Sequence, residues 1–462
     1  MKRELKIAII GGGISGCTAY LQLKKHLPGN HDITIYEAYN TDQNATHADW
    51  QDGPTHSSTL VVGGGLGLGP NGLHVLQRLD ENLVRDIVRS GYVISHGNMK
   101  DKSGRLLVRM DTTADPASSP VNQSTHVLGC SRHALWRCLR ARIPDRDVVC
   151  RRIDGVIANP DGRNVITFVG DINTAEADLI VGADGLKSTV KRALFPEAND
   201  PYPPRYEGLV GIGGFIPADQ VREHVEPGSM NFILGGNGFF GYFFAESDPA
   251  APHRDAPYHV SEPGESLAWW STYSADECPD PKTLDKDGVV RQLRERHANW
   301  GDPVIQSILH SLHVDNMYPT WTSPTLPKWE RFGVVLVGDA AHALPPTSGQ
   351  GSSQALEDVE ALSMFLAHYL GRISDRYANT QDYTLAIRRA TKDYEQLRQP
   401  HVANILKRAQ QSQNSKRTMS WVEEYAMYWF MWVLGFFPGW MTGPVQAEYN
   451  YNVAEDVEGR LR

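Results

Sequence analysis

The sequence predicts an α/β fold built on a parallel sheet, interrupted by an inserted β-sheet domain and completed by a helical C-terminus. Three observations predict it. An apolar strand at residues 5–10 leads through a glycine-rich turn and a helix into a second strand that ends at Glu37, which is a complete β-α-β unit. Between about residues 205 and 315, aromatic residues and glycines alternate with no regular helix between strands, which indicates an antiparallel sheet. Buried α/β texture returns at 333–371, and a charged amphipathic helix with a proline break at 400 covers 380–415.

Composition excludes several classes of protein. The chain has 462 residues, of which 41% are hydrophobic and 21% charged, with a net charge of −9. This length allows two or three domains, and the even spread of apolar residues excludes general disorder. The acidic balance argues against a nucleic-acid partner. Five cysteines form no CxxC pair and no metal-ligand spacing, so we expect free thiols, no metal site and a reducing compartment. No signal-peptide pattern precedes the first strand, which favours a cytoplasmic protein.

The C-terminal segment departs from an ordinary globular pattern. Residues 425–441 contain no charge, and Gly435 and the Phe-Phe-Pro-Gly sequence at 436–439 interrupt the run. This length is at the lower limit for a membrane-spanning helix. Three interpretations stay open: a helix that closes a pocket as a lid, an interfacial helix that makes peripheral membrane contact through 421–441, and a span. We do not assign a span.

The first glycine-rich turn has the spacing of a dinucleotide site. Gly11, Gly13, Ser15 and Gly16 lie between the first strand and the first helix. Gly11 permits a tight turn, Gly13 admits a pyrophosphate, and Gly16 lets the helix pack close to the strand. Glu37 lies 21 residues after Gly16, where a carboxylate binds ribose hydroxyls and repels a 2′-phosphate. The sequence therefore predicts a Rossmann-like site for NAD or FAD rather than a bare structural turn.

A second turn follows a later buried strand. Gly338 and Asp339 end that strand, and Gly349, Gln350 and Gly351 precede an apolar helix that starts at Ser353. Asp339 can accept hydrogen bonds from a ribityl hydroxyl. Backbone N–H groups at 349–351 would stabilise negative charge at the start of a helix. The alternative is a strand–turn–helix connection without a ligand.

A third turn completes an ordered set. Asp184 and Gly185 follow the strand at 179–182, with Ser188 and Arg192 close behind. The three turns together resemble the class A FAD-dependent aromatic monooxygenases, the para-hydroxybenzoate hydroxylase-like family, over about residues 5–410. The segments at 69–76, 131–139 and 344–362 are most similar to fungal secondary-metabolite members.

The resemblance implies an FAD-binding domain of the glutathione-reductase type at 1–80, 126–204 and 316–415. It implies a substrate-binding β-rich domain at 81–125 and 205–315, leaving 416–462 as the aromatic C-terminal segment. It also implies noncovalent FAD with contacts from Arg132, from Gly64 or Gly65, and from Asp184. Asp339 would hold the ribityl chain, and Ser352 would lie near the pyrimidine edge of the flavin. The loop after Glu37 is longer than is usual for the family.

The implied activity uses NADPH or NADH as a transient reductant and O₂ as co-substrate. Through a flavin C4a-hydroperoxide it would hydroxylate or epoxidise an aromatic, indole or alkene-bearing small molecule, in secondary metabolism. One alternative is a flavoprotein oxidase or reductase without oxygen insertion, and another is a non-catalytic FAD-binding protein. A flavin-dependent halogenase would carry a WxWxIP motif, which the sequence lacks.

Two residues are catalytic candidates. Alternation along 239–244 places Phe240, Tyr242 and Phe244 on one face of a strand, and this face could line an apolar pocket or form plain sheet core. Tyr242 would then present a hydroxyl to the substrate. Arg192 stands where some relatives have a substrate-facing arginine, and the alternative is a surface arginine beside Lys191.

Overall fold

The structure is a computed structural model that describes residues 3–41, 65–197, 200–280, 285–312, 314, 317–373, 379–413 and 419–462. The strands, numbered in chain order, are β1 (Lys6–Ile10), β2 (Asp32–Glu37), β3 (Gly65–Leu68), β4 (Gly91–Ile94), β5 (His96–Asp101), β6 (Leu106–Asp111), β7 (Val127–Ser131), β8 (Val148–Cys150), β9 (Ile153–Ile157), β10 (Asn164–Phe168), β11 (Asp171–Ala177), β12 (Leu179–Gly182), β13 (Arg205–Pro217), β14 (Ser229–Gly235), β15 (Gly238–Phe244), β16 (Ser266–Ser274), β17 (Met317–Thr322), β18 (Glu330–Arg331) and β19 (Val334–Leu336).

The helices are α1 (Ile14–His26), α2 (Pro70–Leu79), α3 (Glu81–Arg89), α4 (Arg132–Arg140), α5 (Lys191–Leu194), α6 (Lys286–His297), α7 (Pro303–His310), α8 (Asp339–His342), α9 (Gly351–Gly371), α10 (Thr380–Gln413), α11 (Trp421–Leu434), α12 (Pro438–Tyr449) and α13 (Val453–Leu461).

A six-stranded sheet in the order β18-β19-β12-β1-β2-β8 forms the cofactor half of the molecule. Strands β19, β12, β1, β2 and β8 run parallel. The apolar run of β1 is buried on both faces, as expected for a strand between two neighbours and two helical layers. The main hydrophobic core surrounds this sheet.

A seven-stranded sheet in the order β17-β13-β16-β15-β14-β5-β6 forms the other half. Neighbouring strands are antiparallel except for β14 and β5. Two helices, α6 and α7, lie in the stretch that was predicted to contain no regular helix. Asp285 and Asp302 cap their first turns, and their apolar residues share a core with this sheet. The alternating aromatic residues and glycines elsewhere in this stretch led to a prediction of strands only, so these two short helices were not predicted.

Two predicted domain limits also differ from the sheet membership. Strand β17 pairs with β13, so the seven-stranded sheet continues to Thr322, beyond the predicted limit at 315. Helix α3, predicted to belong to the β-rich part, contributes Leu83, Val84 and Ile87 to the core of the parallel sheet. Strand pairing decides the first case and helix packing the second, both over a long sequence distance that local sequence does not indicate.

Helix α10 continues through Pro400 instead of breaking there. Proline has no N–H, so the carbonyl of Gln396 loses its helical partner. The Arg460 guanidinium of α13 donates to that carbonyl at 3.2 Å. Helix α13 also buries Val453 and Val457 in the main core. Among the described residues, no helix is both long and apolar enough to cross a membrane.

Candidate active site

The three sequence turns meet at the carboxyl ends of the parallel strands. Gly11 has φ +104°, and a Cβ there would lie 2.4 Å from the Ala183 carbonyl oxygen, next to Asp184. A Cβ at Gly338 would lie 2.5 Å from Ser15 Oγ. The first turn therefore touches both of the others, at the position where open α/β sheets bind nucleotides.

The dinucleotide turn has the shape that a pyrophosphate requires. A Cβ at Gly16 would lie 1.9 Å from the Gly11 carbonyl, so only glycine lets α1 approach the strand this closely. Gly13 has open space where its Cβ would be. The first turn of α1 carries no acidic residue, which leaves its positive pole free for phosphate. These features fit FAD.

Glu37 lies at the end of β2 and is buried. Its carboxylate accepts hydrogen bonds from the backbone N–H groups of Gly12, at 2.6 Å, and Tyr39, at 3.1 Å. Burial raises the pKa of this carboxyl, and the N–H donors oppose the shift. The side chain thus faces the glycine turn, where a ribose of the dinucleotide would lie.

The second turn is supported by a buried ionic cluster. Gly338 has φ +58° and precedes Asp339 at the start of α8. Asp358 accepts the Gly338 N–H at 3.0 Å and contacts His342 Nε2 at 2.5 Å. Fully buried Arg398 pairs with Asp358 at 2.9 Å and with Glu357 at 2.8 Å. This cluster fixes the backbone from which Asp339 projects.

Gly349, Gly351 and Ser352 form the start of α9 beside this turn. Gly349 has φ +60°, and both glycines have open space where a Cβ would lie. The first turn of α9 contains no acidic residue. The N-terminus of this helix can therefore stabilise negative charge on a reduced flavin ring.

The sequence did not reveal three residues that lie next to the start of α9: Gly69, Asn71 and Tyr449. Asn71 donates to the Gln350 side-chain oxygen at 2.9 Å. A Cβ at Gly69 would lie 3.2 Å from a ring carbon of Tyr449 and 3.3 Å from the Gln350 side chain. Burial raises the pKa of Tyr449 to about 12. Tyr449 comes from α12, 78 residues beyond the end of α9 at Gly371, so no local motif could have revealed it.

The remaining predicted cofactor residues, Gly64, Gly65, Arg132 and Asp184, differ in position and in exposure. Gly65 begins β3, whereas Gly64 lies outside the described residues. Arg132 is exposed at the start of α4. Asp184 accepts hydrogen bonds from Ser188 Oγ and Thr189 N, both at 2.6 Å, so its carboxylate holds its own turn together. Burial raises the pKa of Asp184 against these donors.

The seven-stranded sheet presents one face to the cofactor half, here called the front face. It is identified by Phe243, whose ring would meet a Cβ at Gly65 within 3.0 Å and one at Gly129 within 2.4 Å. Strand register places the following side chains on this face: Gly97, Met99, Gly211, Gly213, Met230, Phe232, Leu234, Phe239, Gly241, Phe243, Ala268, Trp270 and Thr272.

Tyr242 lies on the opposite face, so its predicted substrate-facing position is corrected. It is fully buried, donates to Asp302 at 3.0 Å and accepts from Lys100 at 3.2 Å. Phe240 on the same face stacks on Trp269. Alternation correctly grouped Phe240, Tyr242 and Phe244, but helices α6 and α7 cover that face.

Arg192 also lies away from the front face. It is exposed on the short helix α5, which packs against β9, β18 and β19. The surface-arginine alternative fits this position, and the geometry gives no support for a substrate-facing role. The helix predicted after the Asp-Gly turn is the four-residue helix α5, which lies on the cofactor half.

Helix α11 packs against the edge of the front face. Met427, Tyr428 and Met431 join a cluster that includes Phe232, Phe239 and Trp270. The Tyr428 hydroxyl oxygen lies 2.8 Å from the Leu234 carbonyl oxygen. The uncharged segment therefore lies against the β-rich half through one side of its first helix.

The fold and its three turns define a flavoprotein with an FAD site beside an apolar sheet face. A family model described as FAD binding domain matches residues 151–380. The chain is 26% identical over 379 residues to chloroplastic zeaxanthin epoxidase from Nicotiana plumbaginifolia, covering 81% of this chain and 50% of that protein. It is 25% identical over 411 residues to 3-amino-4-hydroxybenzoate 2-monooxygenase from Streptomyces cremeus, covering 88% and 86%.

Among solved structures, Klebsiella pneumoniae HpxO complexed with FAD and uric acid matches with a TM-score of 0.70 at 18% identity, covering 96% of each chain. These similarities confirm the predicted resemblance to the class A FAD-dependent monooxygenases and the prediction of an FAD cofactor. The chain spans about half the length of the zeaxanthin epoxidases that it matches. Similarity to fungal members in particular stays a prediction.

Proposed function

We propose that this protein is an FAD-dependent monooxygenase that uses NADPH or NADH and O₂ to hydroxylate or epoxidise a small apolar or aromatic molecule. The observation that carries the proposal is the position of the β3 segment: Gly65 at its start lies against Phe243 of the front face, and the N–H of Gly69, just after its end, donates to Ser353 Oγ of α9 at 3.2 Å. Bound FAD would accept hydride from the nicotinamide and activate O₂ for transfer of one oxygen atom.

The cofactor would be held by backbone and by a few side chains. Gly11, Gly13, Ser15 and Gly16 would hold the pyrophosphate at α1, and Glu37 the adenosine ribose. Asp339 would accept from the ribityl chain. Gly349, Gly351 and Ser352 would support the flavin ring, with Gly65, Arg132 and Asp184 as further contacts. The open space at Gly13, Gly349 and Gly351 supports this arrangement.

The front face would orient the substrate and keep water from the reacting atoms. Phe243 and Ala268, the front-face residues nearest Gly65, are buried. An apolar wall beside the cofactor favours transfer to substrate over loss to solvent. No role in this reaction is proposed for Tyr242 or Arg192.

Labelled oxygen tests the proposal. Purified holoenzyme would be incubated with NADPH, ¹⁸O₂ and a panel of phenols, indoles and alkenes. We expect NADPH consumption stimulated by at least one compound, with one ¹⁸O atom in its product. Stimulated consumption that yields only hydrogen peroxide and unlabelled product would instead support the oxidase or reductase alternative.

We further propose peripheral membrane contact through the outward side of α11 and the turn after it. Tyr425, Trp429, Trp432 and Phe436 are largely exposed there, and aromatic side chains favour the membrane interface. We expect the protein to float with neutral phosphatidylcholine vesicles and Trp429→Ala to weaken flotation. Leu385→Ala, which removes an exposed apolar side chain on α10, is the matched control. Equal flotation of wild type and Trp429→Ala would contradict this contact.

A further inference from the structure

The front face has a continuous aromatic surface centred on Trp270. Its indole lies 6.0 Å, between ring centroids, from each of Phe232, Phe239 and Phe243. A Cβ at Gly241 would lie 2.2 Å from the Trp270 ring, so glycine there lets the indole lie flat across the strand. Because Phe243 lies against Gly65, this surface runs from the start of β3, where the proposed cofactor contact Gly65 lies, to α11.

Methionines surround the aromatic surface. Met99 and Met230 come from the sheet, and Met427 and Met431 come from α11. All four are half-buried, as are Phe232 and Trp270, so they pack together and still present accessible surface. Methionine is flexible and polarisable, and surfaces rich in it adapt to bulky ligands of irregular shape.

Charge is confined to the margin of this surface, where it is already paired. Glu424 of α11 pairs with Lys102 at 2.9 Å and accepts from the Tyr428 hydroxyl at 2.6 Å. Asp101, at the end of β5, accepts from the N–H groups of Ser103 and Arg105. None of these groups is a spare counter-ion for a ligand.

The same strands carry cations on their other face. Lys100 of β5 contacts Tyr242, and Arg109 of β6 contacts Asn98 and Glu226. The front-face positions within Gly97–Met99, Gly211–Phe215, Met230–Leu234, Phe239–Phe243 and Ala268–Thr272 carry no charge. The charged residues of β13, Arg205 and Glu207, precede the part of that strand that pairs with β16. A carboxylate brought onto this face would lose its hydration and find no compensating cation.

We propose that the substrate is an uncharged, bulky apolar molecule that binds between the Trp270 surface and α11, and that anionic aromatic acids are excluded. This inference rests on the proposed monooxygenase function and specifies the substrate class of that same site. Met427 and Met431 determine specificity by covering the part of the substrate farthest from the flavin.

Two probes of matched shape and different charge test the proposal. Binding of 4-octylphenol and of 4-octylbenzoate to oxidised holoenzyme would be measured at neutral pH by quenching of tryptophan fluorescence. This readout needs no turnover, so it is independent of whether oxygen is transferred. We expect 4-octylphenol to bind at least about tenfold more tightly, since a tenfold ratio needs only about 1.4 kcal/mol of discrimination.

A charge placed on the surface should change the discrimination. Met427→Lys supplies a cation beside Trp270 and should bring the two dissociation constants together or reverse their order. Val422→Lys adds the same charge at an exposed position of the same helix and should leave the ratio as in wild type. Equal or tighter binding of 4-octylbenzoate by wild type, no binding of either probe, or an unchanged ratio in Met427→Lys would overturn the proposal. Failure of the proposed function would appear separately, as ligand binding without ¹⁸O incorporation.

Discussion

Asp339 is the side chain on which cofactor retention should depend most. It begins α8 at the junction of the first and second turns and is partly accessible. We expect Asp339→Ala to lose about 1.5–3 kcal/mol of FAD binding, roughly 10–150-fold in Kd, because hydrogen bonds to a charged acceptor are lost. The ratio of flavin to protein after gel filtration measures this.

Asp382→Ala, which changes an aspartate in the first turn of α10, is the control for removal of a carboxylate elsewhere. It should retain the wild-type flavin content. Full FAD occupancy in Asp339→Ala would contradict the assignment of the ribityl contact.

Arg398 supports the Gly338–Asp339 turn through Asp358, which accepts the Gly338 N–H. It is fully buried between Glu357 and Asp358, and removing it would leave two buried carboxylates without their cation. We expect Arg398→Met to cost about 3–5 kcal/mol in the free energy of unfolding, measured by urea denaturation of the FAD-free protein. Arg398→Lys should lose less, because one charge partner remains. Equal stability of Arg398→Met and wild type would show that the cluster contributes nothing net.

At the scale of elements, the sequence predicted which side chains of a strand share a face, but not what each face packs against. The alternation along β15 correctly separated Phe240 and Tyr242 from Phe239 and Phe243. It could not say which face meets the cofactor half, because that depends on β3 and β7, more than 100 residues earlier. The prediction placed Tyr242 on the wrong face, whereas Tyr449 of α12, which was not predicted, lies beside Gly69 and the start of α9.

Helix α13 attaches the C-terminal segment to the cofactor half. Val453 and Val457 are fully buried in the main core, and α13 packs on α9. We expect the Val453→Ala, Val457→Ala double variant to lose about 2–5 kcal/mol of stability through two core cavities. Urea denaturation measures it, with exposed Glu458→Ala as control. A loss of unfolding free energy no larger than that of the control would show that α13 does not contribute to the stability of the core.

At the scale of the whole molecule, the cofactor site was predictable and the substrate face was not. Each cofactor turn is a local strand–turn–helix segment in which glycine spacing reports the backbone shape that FAD requires. The proposed substrate-binding surface draws Gly241, Trp270 and Met427 from three separate segments, and each of these residues has an ordinary local context. Their role follows only from long-range packing, which a single sequence does not encode in a local pattern.

Acid should destabilise the whole molecule through buried groups that lie in both halves. Burial lowers the pKa of His297, behind the seven-stranded sheet, to about 3, and that of His74, beside α9, to about 4. Histidine titrates near 6.5 when unfolded. Between these values the unfolded chain binds more protons than the folded one, so the free energy of unfolding falls as pH falls from about 6.5 to about 3.

Asp358 adds to this acid sensitivity at lower pH. Burial alone would raise its pKa, but His342 and Arg398 lower it to about 2, so the stability that it contributes is lost only as pH falls from about 4 towards 2. We expect His297→Gln, which stays neutral, to flatten the decline between pH 6 and 4, measured by urea midpoints at each pH. A slope identical to wild type would mean that His297 is hydrated and titrates normally, and that α6 does not seal the back of the sheet.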